Sequence, residues 1–97
     1  MTKSNNGVHD KCCDLVAGIL VSQGGEPKKS VLYARGELDV LCDRIYYEVK
    51  STFKPKNALK AMEQIDRAMR AGIVEYGYLV VPGEGVYDVM GDKVVKL

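Results

Sequence analysis

Two carboxylates and a lysine stand in segments that otherwise have the composition of buried β-strands. Asp39 lies in the apolar segment 36–42, and Glu48 and Lys50 lie in the next one, 45–50. Charges at such positions are costly to bury unless a partner or a metal ion compensates them. A divalent cation held by the two carboxylates, with the lysine beside it, would compensate the charge and form a hydrolytic site.

The order of the residues predicts how these side chains meet. The two segments form a hairpin around a two-residue turn at 43–44, and side chains alternate across each strand. This register sets Asp39 opposite Glu48 and Glu37 opposite Lys50, with Cβ atoms about 4.5–5.5 Å apart. Two carboxylates at that separation repel each other unless an oxygen-seeking cation such as Mg²⁺ lies between them. The other face is expected to be core and comprises Leu38, Val40, Tyr47 and Val49.

Val49 and Lys50 complete the expected chemistry. The Val49 side chain points into the core, but its backbone carbonyl can reach the cation. Lys50 shares a face with Glu48, where it would orient or help deprotonate a water and stabilise negative charge at phosphorus. The predicted reaction is in-line attack of that water on a phosphodiester. The alternative is a ladder of ion pairs on an exposed sheet face.

Two helices should flank these strands. Residues 8–23 have a helical period, and Asp10 and Asp14 lie one turn apart beside its apolar stripe. Asp14, the deeper of the two, is a candidate for a further metal or water ligand, and the alternative is an ordinary exposed aspartate. Gln64, in the predicted second helix at 58–71, either hydrogen-bonds toward the site or lies at the edge of the core. The stripe comprises Val8, Cys12, Leu15, Val16 and Ile19.

His9 and the cysteines are not expected to take part in this chemistry. His9 stands near the start of the first helix, where a capping or surface role is typical. Cys12, Cys13 and Cys42 are odd in number and lack a C-x-x-C spacing, which argues against a disulfide framework or a zinc site. We therefore expect buried, reduced thiols.

Length and composition predict one small domain. The chain has 97 residues, of which 46% are hydrophobic and 28% charged, as in ordinary soluble globular proteins. No apolar run approaches the roughly 18 residues that span a bilayer, and the polar start lacks the apolar core of a signal peptide. The expectation is a cytoplasmic protein, not membrane-bound, with a flexible segment at 1–7 and a single domain at 8–97.

The elements follow in the order α-β-β-β-α-β-β, which predicts an α/β fold with a central mixed β-sheet flanked by helices. A strand at 31–34 precedes the hairpin, and a strand at 76–81 follows the second helix. The C-terminal segment, 86–97, reads as a hairpin around Gly91-Asp92. It either completes the sheet within one chain or pairs with a partner.

Basic residues follow the proposed site along the chain. The net charge is only +1, but residues 50–70 contain many basic residues and only two acidic ones, Glu63 and Asp66. One interpretation is a solvated helix face, and the other is phosphate binding beside a site that cuts phosphodiesters. The basic residues are Lys50, Lys54, Lys56, Lys60, Arg67 and Arg70.

With these elements in place, Asp39 followed by Glu48-Val49-Lys50-Ser51 on the next strand resembles the PD-(D/E)xK nuclease superfamily. The resemblance covers the helix–hairpin–helix–strand core at residues 8–81. The order of elements and the Glu-Val-Lys-Ser string are similar to archaeal Holliday junction resolvases and to small related nucleases of archaeal viruses. Leu38 stands where the family name has a proline, and the serine nearest upstream of Arg35 is Ser30.

The resemblance implies a restriction-endonuclease-like domain that acts as a metal-dependent DNA endonuclease. Asp39 and Glu48 would bind Mg²⁺ or Mn²⁺, Lys50 would be the catalytic lysine, and Asp14 would stand in for the acid of the family's first helix. Because resolvases act as homodimers on four-way DNA junctions, the expected substrate is branched DNA in recombination and repair. The remaining expected residues are Glu37, Ser51 and Gln64 in support, and Arg35, Lys54, Lys56 and Lys60 in nucleic-acid binding.

Two other functions compete with a nuclease. One is a nucleic-acid-binding module that keeps the fold but does not cut. The other is a protein-interaction domain in which the acids form surface salt bridges. The presence of Glu37, Asp39, Glu48 and Lys50 together favours the nuclease over the non-cleaving module.

Overall fold

The helices and strands follow the alternation of apolar segments. In the computed structural model, which describes residues 6–90 and 93–97, two helices and one mixed six-stranded sheet form an α/β domain. This confirms the predicted fold class. The elements are α1 Asn6–Ser22, β1 Lys28–Tyr33, β2 Gly36–Cys42, β3 Ile45–Val49, α2 Pro55–Arg70, β4 Tyr76–Val81, β5 Gly85–Met90 and β6 Lys93–Lys96.

The C-terminal hairpin makes the order one strand longer than predicted. Strands β5 and β6 continue the sheet within the chain, so three strands follow α2. The turn expected at Gly91-Asp92 lies outside the described residues. So do residues 1–5 of the expected flexible segment, whereas Asn6 and Gly7 already belong to α1. Helix α2 begins at Pro55, three residues before the predicted start at 58, because proline suits the first helical position.

Strand order in the sheet follows chain order. Four neighbouring pairs are antiparallel, and β3 and β4 are parallel. A parallel pair needs a crossover, which α2 supplies. Neither helix in the described part of the chain is long and apolar enough to cross a membrane.

The sheet lies between the two helices. On β4, Leu79 and Val81 belong to a buried cluster with Ile65 of α2, whereas Val80 belongs to another with Val16 of α1. Because alternate residues of one strand enter different clusters, the helices cover opposite faces. Helix α1 contacts β1, β2 and β3, and α2 contacts β3 to β6.

The apolar stripe predicted for α1 is only partly correct. The structure buries Cys13 and Val16, while Val8, Leu15 and Ile19 are more than half exposed. Helix α1 packs mainly on β1, β2 and β3, and Leu15 and Ile19 line an apolar groove between α1 and strands β4 and β5.

The β2–β3 hairpin has the predicted turn. Val40 pairs with Tyr47 and Cys42 with Ile45, so residues 43–44 form a two-residue loop. Asp43 and Arg44 both have positive φ, 53° and 64°, as a type I′ turn requires. The ladder ends at Val40 and Tyr47, short of Asp39 and Glu48.

Strand β2 changes faces at Asp39. Leu38 packs in the cluster beneath α2 and Val40 in the cluster beneath α1, although residues two apart on a regular strand share a face. The prediction that both belong to one core face is therefore wrong. Strand β1 is irregular at the same level. Ser30 has a φ of 54°, and Ser30 and Asp39 are the one pair missing from an otherwise continuous register between β1 and β2. This irregularity leaves Asp39 free of the ladder and directs its carboxylate toward β3.

Candidate active site

Glu48 is the centre of the site. It is the one buried charged side chain among the described residues, with 2% of its surface exposed. Lys50 Nζ lies 3.1 Å from one carboxylate oxygen, and the Tyr46 hydroxyl donates a hydrogen bond to the other. Burial, and then the charge of Asp39, raise the pKa of Glu48, while Tyr46 and Lys50 act in the opposite direction.

Strand alternation explains why these three residues meet. Tyr46, Glu48 and Lys50 are spaced by two on and just beyond β3, so they share the face that α2 covers. Tyr46 is fully buried, and burial and the charge of Glu48 raise its pKa, so it remains a neutral donor. Because it is fully buried, Tyr46 has no surface for direct contact with nucleic acid.

Asp39 joins this group from β2. Its Oδ2 accepts a hydrogen bond from the Val49 backbone N–H at 2.9 Å. The charge of Asp39 also raises the pKa of Glu48. The predicted pairing of Asp39 directly opposite Glu48 is not present: the ladder between β2 and β3 ends at Val40 and Tyr47, and Asp39 reaches the backbone of Val49 instead.

Lys50 differs from its predicted pairing. Its ammonium contacts Glu48, and no ion pair with Glu37 is present in residues 6–90. Glu37 pairs instead with Leu32 of β1. The Lys50 backbone N–H donates to the Val80 carbonyl at 3.0 Å, which ties the end of β3 to β4 and fixes the start of the lysine side chain.

A cleft of about 730 Å³ opens between α1, β1 and β2 in front of Asp39. Asp14 lines it but does not reach Asp39, because it is exposed and pairs with Lys29. Among the described residues, Asp14 therefore makes no contact with Asp39 that would support its predicted role as an acid of the site. The cleft is lined by Gly7, His9, Asp10, Cys13, Asp14, Lys29, Ser30, Glu37 and Asp39.

His9, and not Asp14, is the α1 residue that lies beside Asp39. Its Nε2 lies 3.4 Å from Asp39 Oδ2 and 3.1 Å from the Val49 carbonyl oxygen. The Cys13 Sγ lies 3.8 Å from the same nitrogen. The expectation of a capping or surface role for His9 is wrong, since the side chain points toward β2 and β3. The spacing of His9 and Cys13, one helical turn apart, is the signal that would have paired them.

The supporting and basic residues lie around the site without entering it. Ser51 is exposed in the bend after β3. The Gln64 Oε1 is buried and accepts no hydrogen bond from the described residues, so its proposed bond toward the site is absent. The exposed basic residues are Arg35, Lys54, Lys56 and Lys60.

The donors at this point suit a divalent cation. The Asp39 and Glu48 carboxylates and the Val49 carbonyl form an oxygen set, the type of ligand that Mg²⁺ and Mn²⁺ prefer. Two acidic groups meet there, and Lys50 is the one basic side chain within salt-bridge distance of Glu48 among the described residues. A cation held by these oxygens would compensate the remaining negative charge.

Comparisons of the chain with protein-family models, with curated proteins and with solved structures find no match. Inferences about function therefore depend on the geometry of the site and on the motif in the sequence.

Proposed function

We propose that the protein is a metal-dependent endonuclease that hydrolyses phosphodiester bonds in DNA. The observation that carries this proposal is the meeting of Asp39, buried Glu48 and Lys50 where β2 and β3 diverge. A buried, partly compensated carboxylate destabilises a fold, so its presence calls for a functional reason.

Each residue has a distinct role in this proposal. Asp39, Glu48 and the Val49 carbonyl would hold Mg²⁺ or Mn²⁺, and the bound cation would supply Lewis-acid activation of the phosphate and of water. Lys50 orients the attacking water and stabilises negative charge at phosphorus. Tyr46 fixes the Glu48 carboxylate through its hydrogen bond.

The basic residues support binding of a phosphate backbone. Because β2 and β3 are antiparallel, the start of β2 and the end of β3 lie at the same edge of the sheet. Arg35 directly precedes β2, and Lys54 and Lys56 follow the short loop after β3. Basic residues therefore stand at the same end of β2 and β3 as Lys50, where they would hold the substrate.

Action on branched DNA by a homodimer is the more specific part of the proposal. It depends on the resemblance of the Glu48-Val49-Lys50-Ser51 string to junction resolvases. An apolar groove of about 490 Å³ between α1 and the C-terminal strands supports dimer formation, since Ile19, Val86 and Leu97 line it and are exposed.

A cleavage assay tests the proposal. The protein is incubated with plasmid, linear, single-stranded and four-way-junction DNA, with Mg²⁺, with Mn²⁺ and with EDTA. We expect cutting that needs the cation and is abolished in Asp39→Ala. The matched control is Asp43→Asn, which removes an exposed carboxylate at the far end of the same hairpin and tolerates the positive φ there.

The other outcomes separate the alternatives. Equal cutting by Asp39→Ala, or cutting in EDTA, would refute the assignment. Binding without cutting would indicate a non-cleaving module, which the contact of His9 with two members of the oxygen set favours. Absence of binding at low salt would leave a protein-interaction domain.

A further inference from the structure

A second set of metal donors lies on the cleft side of Asp39. His9 Nε2, Cys13 Sγ and an Asp39 carboxylate oxygen all lie within 4.8 Å of one another. We call these three residues the helix set, because two of them come from α1. We propose that the helix set binds one Zn²⁺ ion, or a cation of the same class, in addition to the function proposed above.

Two of the three separations between donor atoms are close to the edges of a tetrahedral site. With Zn–N and Zn–O bonds of about 2.0–2.1 Å and a Zn–S bond of about 2.3 Å, tetrahedral ligands are separated by roughly 3.3 Å for N···O and 3.6 Å for S···N. The observed values are 3.4 Å from His9 Nε2 to Asp39 Oδ2 and 3.8 Å from Cys13 Sγ to His9 Nε2. Small movements of the side chains are sufficient to close the site.

The chemistry of the donors selects the class of cation. A thiolate and an imidazole favour zinc and other borderline transition metals, whereas Mg²⁺ prefers oxygen and keeps several waters. The helix set thus differs in kind from the oxygen set, although both use Asp39. Three protein ligands also leave one position open, as in zinc sites that exchange ligands.

The surrounding structure holds these donors in position. His9 and Cys13 are four residues apart in α1 and so face the same way. Cys13 is anchored by burial against Val40 and Val49. The Asp39 carboxylate is oriented by the Val49 N–H at 2.9 Å, which plays the part of an outer hydrogen bond to a metal ligand. Binding would require His9 Nε2 to exchange its contact with the Val49 carbonyl for the ion.

Cobalt spectroscopy tests the site directly. Co²⁺ is titrated into the reduced 97-residue chain, and the near-ultraviolet band of thiolate-to-cobalt charge transfer is recorded. We expect saturation at one equivalent, loss of the band in Cys13→Ser and displacement of the cobalt by Zn²⁺. The matched controls, Cys12→Ser and Cys42→Ser, should keep it, because neither thiol belongs to the helix set.

A second variant guards against effects of core disruption. His9 is partly exposed near the start of α1, so His9→Gln should fold normally and weaken Co²⁺ binding at least tenfold. Absence of the band in the wild type, its survival in Cys13→Ser, or unchanged affinity in His9→Gln would overturn the proposal. The measurement involves neither nucleic acid nor cleavage, so its outcome is independent of the nuclease proposal.

Discussion

Replacing Glu48 by glutamine should stabilise the metal-free protein at alkaline pH. In the folded chain, burial and the neighbouring Asp39 raise the pKa of Glu48 from an ordinary value of 4.5 to about 7. At about 1.4 kcal/mol for each factor of ten in proton affinity, the ionised side chain costs the fold roughly 3 kcal/mol at pH 8. Glutamine keeps an acceptor for the Tyr46 hydroxyl but loses the contact with Lys50, so the net gain should be about 1–3 kcal/mol.

The sign of this effect follows from the direction of the pKa change. Because the folded-state pKa of Glu48 is the higher one, its contribution to stability is fully present below about pH 4.5 and is lost as the pH rises through about 7. The difference between Glu48→Gln and the wild type should therefore be small at pH 5 and should grow toward pH 8. Other titrating groups largely cancel in this comparison.

Urea denaturation in EDTA at pH 5 and pH 8 measures this difference. The control is Glu75→Gln, an exposed carboxylate paired with Arg44, for which we expect less than about 0.5 kcal/mol at either pH. Adding Mg²⁺ should then stabilise the wild type and not Glu48→Gln, since ligands stabilise the state that binds them. A variant that is less stable than the wild type at pH 8, or a difference that does not change with pH, would refute the reasoning.

Three further substitutions test a hydrogen bond to Glu48, the role of Lys50 and the packing of the core. Tyr46→Phe removes the donor to buried Glu48 and should cost about 1–3 kcal/mol at pH 8 and less at pH 5, by the same urea titration. Lys50→Met should lower cutting at least a hundredfold and keep stabilisation by Mg²⁺, a pattern that a merely structural lysine would not give. Gly77→Ala should cost about 1–3 kcal/mol in thermal unfolding, because its Cβ would lie 2.5 Å from Ile65 of α2. Its control, Gly18→Ala, meets nothing within 4 Å in a helix and should be neutral or stabilising.

The sequence alone predicted those parts of the site whose residues lie close together along the chain. Tyr46, Glu48 and Lys50 are brought together by the alternation of a single strand, and the turn at 43–44 is set by the lengths of the flanking apolar segments. The α/β class was predicted from the hydrophobic period of each segment, which is also a local property of the sequence. These features depend on spacing of a few residues, which a single sequence displays.

The position of Asp39 could not be read from spacing. A regular strand would place Leu38 and Val40 on one face, but β1 and β2 change faces together at Ser30 and Asp39. The change arises from packing against two helices on opposite sides. No residue type at these positions indicates it.

The contribution of α1 was also beyond local reasoning. The helical period alone gives several rotations of comparable apolarity, and the structure chooses the one that turns His9 and Cys13 toward the sheet and leaves Leu15 and Ile19 exposed. In this orientation of α1, His9 lies beside Asp39, where Asp14 was expected.

The donors of the two sets come from different elements, so substitutions in each element should have different effects. The chemistry proposed for Glu48 and Lys50 is held within β3, whereas the nitrogen and sulfur donors come from α1. Asp39 is the one residue common to the oxygen set and the helix set, and it lies at the irregular point of β2. Substitutions of His9 or Cys13 should therefore impair only the helix set and substitutions of Glu48 only the oxygen set, whereas substitutions of Asp39 should abolish cation binding by both.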